Sequence, residues 1–152
     1  MQKIQDIKIE STKKVTSGRQ SIIDRYGRTF DYLRLAVNEI CNLRCIYCMP
    51  EQGIVFKSKD KILQKREIFK LIKITTDLGV NKIRFTGGEP LLRKEIFEII
   101  NFTKKIKTVK SINLTTNGIL LSDMLNELKS SGLSGINISI DTLNPEKYKD
   151  WL

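Results

Sequence analysis

Lys82-Ile83-Arg84-Phe85-Thr86-Gly87-Gly88-Glu89-Pro90 reads as a short strand that stops at two glycines, and its flanks alternate with it. Upstream, Glu67 to Leu78 places Ile68, Leu71, Ile72, Thr75 and Leu78 on one helical face, and Gly79 stands where a C-terminal cap belongs. Downstream, Leu92 to Ile106 is expected to form a second amphipathic helix carrying Ile96, Ile99, Ile100 and Phe102. Ser111 to Thr115 follows as a strand closed by Asn117-Gly118. Residues 120–131 follow as a helix with Ser122 at its N-cap, and Gly135 to Asp141 as a further strand. Pro145, after Asn144, occupies the first position of a fourth helix. On the N-terminal side, Tyr32 to Val37 is a mainly apolar run that suits a buried strand. Alternation of this kind implies an α/β fold with a parallel sheet built by right-handed crossovers. Such a sheet is covered on both faces or closed into a barrel. Three and a half βα units that end inside a helix are therefore expected to be a piece of something larger.

With 152 residues, 40% hydrophobic and 29% charged, the composition is that of one globular domain. No stretch approaches the roughly 18 apolar residues of a membrane helix, and the N-terminus lacks the apolar core of a signal peptide. An intracellular, cytoplasmic protein without a membrane partner is expected. Lys and Arg number 27 against 17 Asp and Glu, a net charge of +10 that favours an anionic partner such as a nucleotide, a nucleic acid or an anionic membrane. There is no histidine, which excludes histidine acid–base catalysis, Ser-His triads and His-ligated zinc. Residues 1–21 are polar and Lys-rich and read as a mobile basic extension, or at best one short strand near Ile7. Lys104-Lys105, Lys107 and Lys110, like Lys57, Lys59 and Lys61, read as solvated faces. No nucleic-acid-binding signature accompanies them, so no nucleic-acid partner is expected.

The three cysteines, Cys41, Cys45 and Cys48, fall within eight residues. An odd, clustered set without a secretion signal reads as a metal site rather than a disulfide framework. Cys-x₃-Cys-x₂-Cys can hold three irons of a [4Fe–4S] cluster, leaving the fourth iron open to a small molecule. Structural zinc would want a fourth Cys or His, a Cys45/Cys48 dithiol would leave Cys41 without a role, and chance clustering of buried cysteines is the remaining alternative.

This pattern directly after a first strand, with Gly87-Gly88-Glu89-Pro90 about 40 residues on, resembles the radical S-adenosylmethionine superfamily. Further segments resemble the molybdenum cofactor biosynthesis protein A family within it: Asp24-Arg25-Tyr26-Gly27-Arg28, Tyr32 to Leu35, Cys48-Met49-Pro50, Lys82 to Arg93, Leu114-Thr115-Thr116-Asn117-Gly118 and Ile136 to Asp141. The resemblance runs from about residue 22 to 152 and covers only the first half of a family member. It implies the N-terminal part of an incomplete (β/α)₆ barrel, with about four strands of the parallel sheet present. Residues 22–152 would be a truncated core domain, without the region that carries the second cluster.

Members of that family are GTP 3′,8-cyclases, lyases of molybdenum cofactor (molybdopterin) biosynthesis. The resemblance implies that a [4Fe–4S] cluster on Cys41, Cys45 and Cys48 binds S-adenosylmethionine, whose reductive cleavage gives a 5′-deoxyadenosyl radical. That radical removes the 3′ hydrogen of GTP, and the nucleotide closes to (8S)-3′,8-cyclo-7,8-dihydroguanosine 5′-triphosphate. Tyr47, Gly88 and Ser139 would contact S-adenosylmethionine; Arg34, Arg84 and Thr115 would contact GTP; no side chain is catalytic beyond the cluster and cofactor. A second [4Fe–4S] cluster would belong to the missing C-terminal half. An electron donor such as flavodoxin or ferredoxin, a downstream cyclic pyranopterin monophosphate synthase and a homodimer complete the implied partners.

Each assignment has a plainer counterpart. Tyr47 would simply fill its loop, and Gly87-Gly88 would be an ordinary turn. Ser139 would pair with nearby backbone, Thr115 would be a β-branched strand residue, and the two arginines would sit in structural ion pairs. Two other functions stand beside the cyclase: a radical enzyme acting on a peptide or another cofactor, and an inactive iron–sulfur-binding fragment.

Overall fold

The structure, a computed structural model, describes residues 21–48 and 62–149. All of the extension expected over 1–21 except its last residue, with Met49-Pro50 and the lysines at 57, 59 and 61, lies outside the described residues. The first elements are two short exposed strands, β1 (Ile22–Ile23) and β2 (Thr29–Phe30), paired antiparallel. This hairpin is not foreseen in the apolar pattern because side-chain capping, not periodicity, makes it. The Asp24 carboxylate accepts the backbone N–H groups of Tyr26 and Arg28, each at 2.9 Å, and the Arg28 Nε–H at 2.7 Å. Those bonds hold its pKa below the usual value.

The remaining elements alternate as expected: β3 (Tyr32–Ala36), α1 (Lys65–Asp77), β4 (Lys82–Thr86), α2 (Ile96–Lys104), β5 (Ser111–Thr116), α3 (Leu121–Ser131), β6 (Gly135–Ile138) and α4 (Pro145–Lys149). Strands β3 to β6 form one parallel sheet in sequential order. With right-handed crossovers, that order puts every connecting helix on the same face, as in an arc of a barrel wall and unlike a doubly wound sheet. The covered face is apolar. Leu35, Ile83, Phe85, Ile112 and Leu114 pack against Ile68 and Ile72 of α1, Ile96, Ile99 and Ile100 of α2, and Leu128 of α3. The Phe69 and Phe102 rings stack at 4.1 Å between centroids and join α1 to α2. The other face is polar, with Arg34, Arg84 and Asn113 in register across β3, β4 and β5.

Several boundaries differ from expectation. The helix expected from Leu92 is a 3₁₀ turn at Pro90–Leu92, then a break, then α2. Glu89 ends its strand-like backbone by accepting the Leu91 N–H, and Pro90 starts the turn. Ser122 is not a cap: α3 begins one residue earlier, and the Ser122 hydroxyl donates to Asp123. The Asn117-Gly118 turn leads directly into that helix, with the Gly118 carbonyl accepting the Leu121 N–H at 3.1 Å. Thr76 rather than Thr75 is buried on α1. The last strand stops at Ile138 because its partner β5 ends at Thr116. No helix among the described residues is long and apolar enough to cross a membrane.

Candidate functional site

All four parallel strands end at one open cavity of about 250 Å³. At the end of β3 the chain does not leave β4 at once. The Val37 N–H donates to Thr86 O, Gly88 N–H to Asn38 O and Glu89 N–H to Ile40 O, at 2.8, 3.1 and 2.7 Å. The run to Cys41 therefore lies flat along Gly87 and Gly88. Gly87 has φ of 146°, and a Cβ on either glycine would meet backbone of Asn38 to Ile40 closer than 3.0 Å. The glycines thus serve a close approach of the chain to itself, not only to a ligand.

Glu89 and Arg93 brace this crossing. The Glu89 side chain is 1% exposed, and its carboxylate accepts from Leu91 N at 3.0 Å, Thr116 Oγ1 at 2.8 Å and Asn117 N at 2.8 Å. It therefore ties the Gly-Gly segment to the end of β5. Arg93, also buried, donates from Nη1 to the Val37 and Leu63 carbonyls and lies 3.2 Å from Glu95. A buried charge this well partnered is tolerated and rigid.

On that base sit the cysteines, all three free thiols on the cavity wall. The Leu43 N–H donates to the Cys41 sulfur at 3.4 Å, Arg44 Nη1 caps the Cys41 and Leu43 carbonyls at 2.8 Å each, and Cys48 N–H closes a turn onto Cys45 O at 2.9 Å. Among the described residues no three Cys, Asp or Glu side chains converge as ligands of a single ion do. Tetrahedral zinc takes four protein ligands in a structural site, and the sequence offers no fourth cysteine and no histidine. Three thiols on one loop suit a [4Fe–4S] cluster whose fourth iron has no protein ligand, so the chemistry of the donor set fits such a cluster.

Eight of the nine sequence-derived site residues line the cavity. Tyr47 reaches across it: the hydroxyl donates to Asp141 Oδ2 at 2.6 Å, joining the cysteine loop to the end of β6. That bond, with burial and the neighbouring Cys45, raises the phenol pKa. Ser139 is exposed at the rim, its backbone N–H held by Thr116 O at 2.8 Å. Thr115 also lines the cavity, with its Oγ1 buried and unpartnered. Arg34 lines it from β3. The exception is Arg84, which lies in register beside Arg34 on the polar sheet face, with Nε buried and unpartnered. Neither arginine forms an ion pair among the described residues, so the structural ion pairs weighed from sequence are not found there.

Asn117, Asp141 and Tyr148 line the cavity as well and were not singled out from sequence. Asn117 stood in an Asn-Gly pair that reads as a turn, and Tyr148 in a helix with no distinguishing pattern. Asp141 followed Ser139 at a spacing that carries no signal of its own.

Three thiols beside a glycine-paved crossing, at the carboxyl ends of four sequential parallel strands, define an α/β protein with a cysteine-lined site of the kind that holds an iron–sulfur cluster. The Radical SAM superfamily model matches residues 35–152, and the chain belongs to that superfamily. Membership implies a [4Fe–4S] cluster and S-adenosylmethionine. More particularly, the chain is 53% identical over 128 residues to a GTP 3′,8-cyclase of Clostridium botulinum strain Hall, covering 84% of this chain and 40% of that protein. It is 48% identical over 141 residues to molybdenum cofactor biosynthesis protein 1 of Dictyostelium discoideum, covering 93% of this chain and 22% of that protein. A crystal structure of BtrN in complex with AdoMet and 2-DOIA superposes with a TM-score of 0.61 at 21% identity, over 82% of this chain and 52% of that one, and supports the fold. The chain thus spans about two fifths of the length of the bacterial relatives it matches.

Proposed function

We propose that residues 22–152 form the N-terminal part of the core domain of a GTP 3′,8-cyclase, an enzyme of molybdenum cofactor biosynthesis. The observation that carries this reading is the arginine pair on the polar sheet face. Arg34 and Arg84 are cross-strand neighbours, and the Arg84 Nε is buried without an acceptor. Like charges side by side are destabilising unless an anion lies between them, and a buried donor without a partner costs about 1–3 kcal/mol. A triphosphate supplies both the charge and the acceptors, which guanidinium forks grip bidentately. The relatives named for GTP point to the same ligand.

In this reading Cys41, Cys45 and Cys48 hold the cluster, which when bound supplies the electron that cleaves S-adenosylmethionine. Gly88 and Ser139 border the space for that cofactor, and Tyr47, fixed by Asp141, covers one side of it against water. Thr115 offers its unpartnered hydroxyl to the nucleotide, beside the arginines. A second cluster needs cysteines that these 152 residues do not contain. A flavodoxin or ferredoxin as electron donor, a synthase that consumes the cyclised nucleotide, and a homodimer belong to the same proposal.

The test is anaerobic reconstitution with iron and sulfide, reduction, and measurement of 5′-deoxyadenosine release with and without GTP. About four irons per chain are expected, with Cys45→Ala abolishing both the brown absorbance and cleavage. A chain that takes up no cluster overturns the reading; cleavage with no nucleotide-derived product in the presence of GTP overturns the substrate.

A further inference from the structure

Asn117 is held on all sides where β5 meets the cysteine loop. Its backbone N–H donates to Glu89 Oε2 at 2.8 Å, and its Oδ1 accepts the Ile119 N–H at 3.0 Å. The second bond fixes which way the amide faces, because only the oxygen can receive that N–H. The NH₂ group must therefore point toward the cysteine loop. There one hydrogen goes to Asn42 Oδ1 at 2.8 Å and the other toward the Cys41 sulfur at 3.9 Å. The Cys41 sulfur also receives the Leu43 N–H. The amide contact is long for a neutral thiol. A thiolate is a stronger acceptor and draws such a donor in.

We infer that the Asn117 side-chain amide is a hydrogen-bond donor to the Cys41 thiolate and raises the reduction potential of the cluster held there. The inference rests on the assignment of Cys41 as a cluster ligand. Hydrogen bonds to ligand sulfurs are among the terms that set the potential of such clusters. Reduction adds negative charge, which the donor stabilises more in the reduced than in the oxidised state. Asn117 acts through Cys41 and is a positioning residue rather than a catalytic one. The carboxylate of Glu89, by fixing the Asn117 backbone, sets where the donor stands.

The experiment is a redox titration, followed by electron paramagnetic resonance, of the reconstituted chain and of Asn117→Ala and Asn117→Asp. The aspartate keeps the acceptor for Ile119 and loses the donor to sulfur, so it separates the turn from the cluster contact. Both variants are expected to retain the iron content of the unaltered chain. Both should be reduced at a more negative potential, with a one-electron equilibrium constant about tenfold lower, or about 59 mV. Asn117→Asp should shift further than Asn117→Ala, because its carboxylate adds negative charge beside the sulfur. An unshifted potential in either loaded variant, or loss of the cluster from both, overturns the inference and reduces Asn117 to a turn residue. Failure of the unaltered chain to take up a cluster is a different result, which removes the ligand assignment itself.

Discussion

Glu89 shows how a motif residue can serve the site without facing a ligand. Its carboxylate is enclosed, and its partners are two backbone N–H groups and one hydroxyl, with no cation paired to it among the described residues. Those three donors come from the 3₁₀ turn, from β5 and from the turn after β5, while the Glu89 backbone is bonded to Ile40 and Asn38. One residue, through its side chain and its backbone together, therefore ties the Gly-Gly segment, the end of β5 and the run into the cysteine loop to one another. Glu89→Ala leaves buried donors unmet and should lower unfolding free energy by about 2–4 kcal/mol in urea titration. Glu89→Gln keeps one oxygen as acceptor but turns an NH₂ group toward an N–H, so it should fall between the alanine variant and the unaltered chain. Equal stability of Glu89→Ala and the unaltered chain would show that the hub is not structural.

Among the elements, α2 carries the packing. Ile96, Ile99, Ile100 and Thr103 are all fully buried, whereas Ile74 on α1 is 48% exposed. Ile99→Ala should therefore cost about 2–5 kcal/mol, and Ile74→Ala should stay within about 0.5 kcal/mol, by thermal or urea unfolding. Comparable losses at the two positions would mean that α2 does not hold the sheet. Periodicity made this layer legible: the apolar spacing in α1 and α2 and the strand-like runs at Tyr32, Lys82 and Ser111 all fall in observed elements. What escaped was structure made by side chains bonding to backbone. The Asp24 hairpin, the Glu89 break before α2 and the Asn117 entry to α3 each depend on one polar residue whose partners are unknown until the chain is folded. The same holds for the site. Cys41, Cys45, Cys48 and the glycines were readable from spacing, while Asn117 and Asp141 gain meaning only when β5 and β6 bring them to the cysteine loop.

Across the molecule, the +10 charge lowers the stability of the ligand-free chain, and the open polar sheet face adds to that cost. Without a ligand, excess positive charge repels itself, and Arg34 beside Arg84 concentrates that repulsion on one face. Raising sodium chloride from 0.1 to 1 M shortens the screening length from about 10 Å to about 3 Å, so the ligand-free chain should become more stable with salt. GTP should stabilise by linkage, about 2.7 kcal/mol at a hundredfold excess over its dissociation constant, and that increment should shrink with salt because the same screening weakens the triphosphate contacts. The two salt effects have opposite sign, which separates nucleotide binding from general screening in one set of melting curves. The Arg34→Ala/Arg84→Ala double variant should melt no lower than the unaltered chain without GTP, since it removes a repulsive pair, yet lose the GTP increment. An increment that survives in the double variant, or grows with salt, would place the triphosphate elsewhere and remove the arginine pair as the reason for the charge.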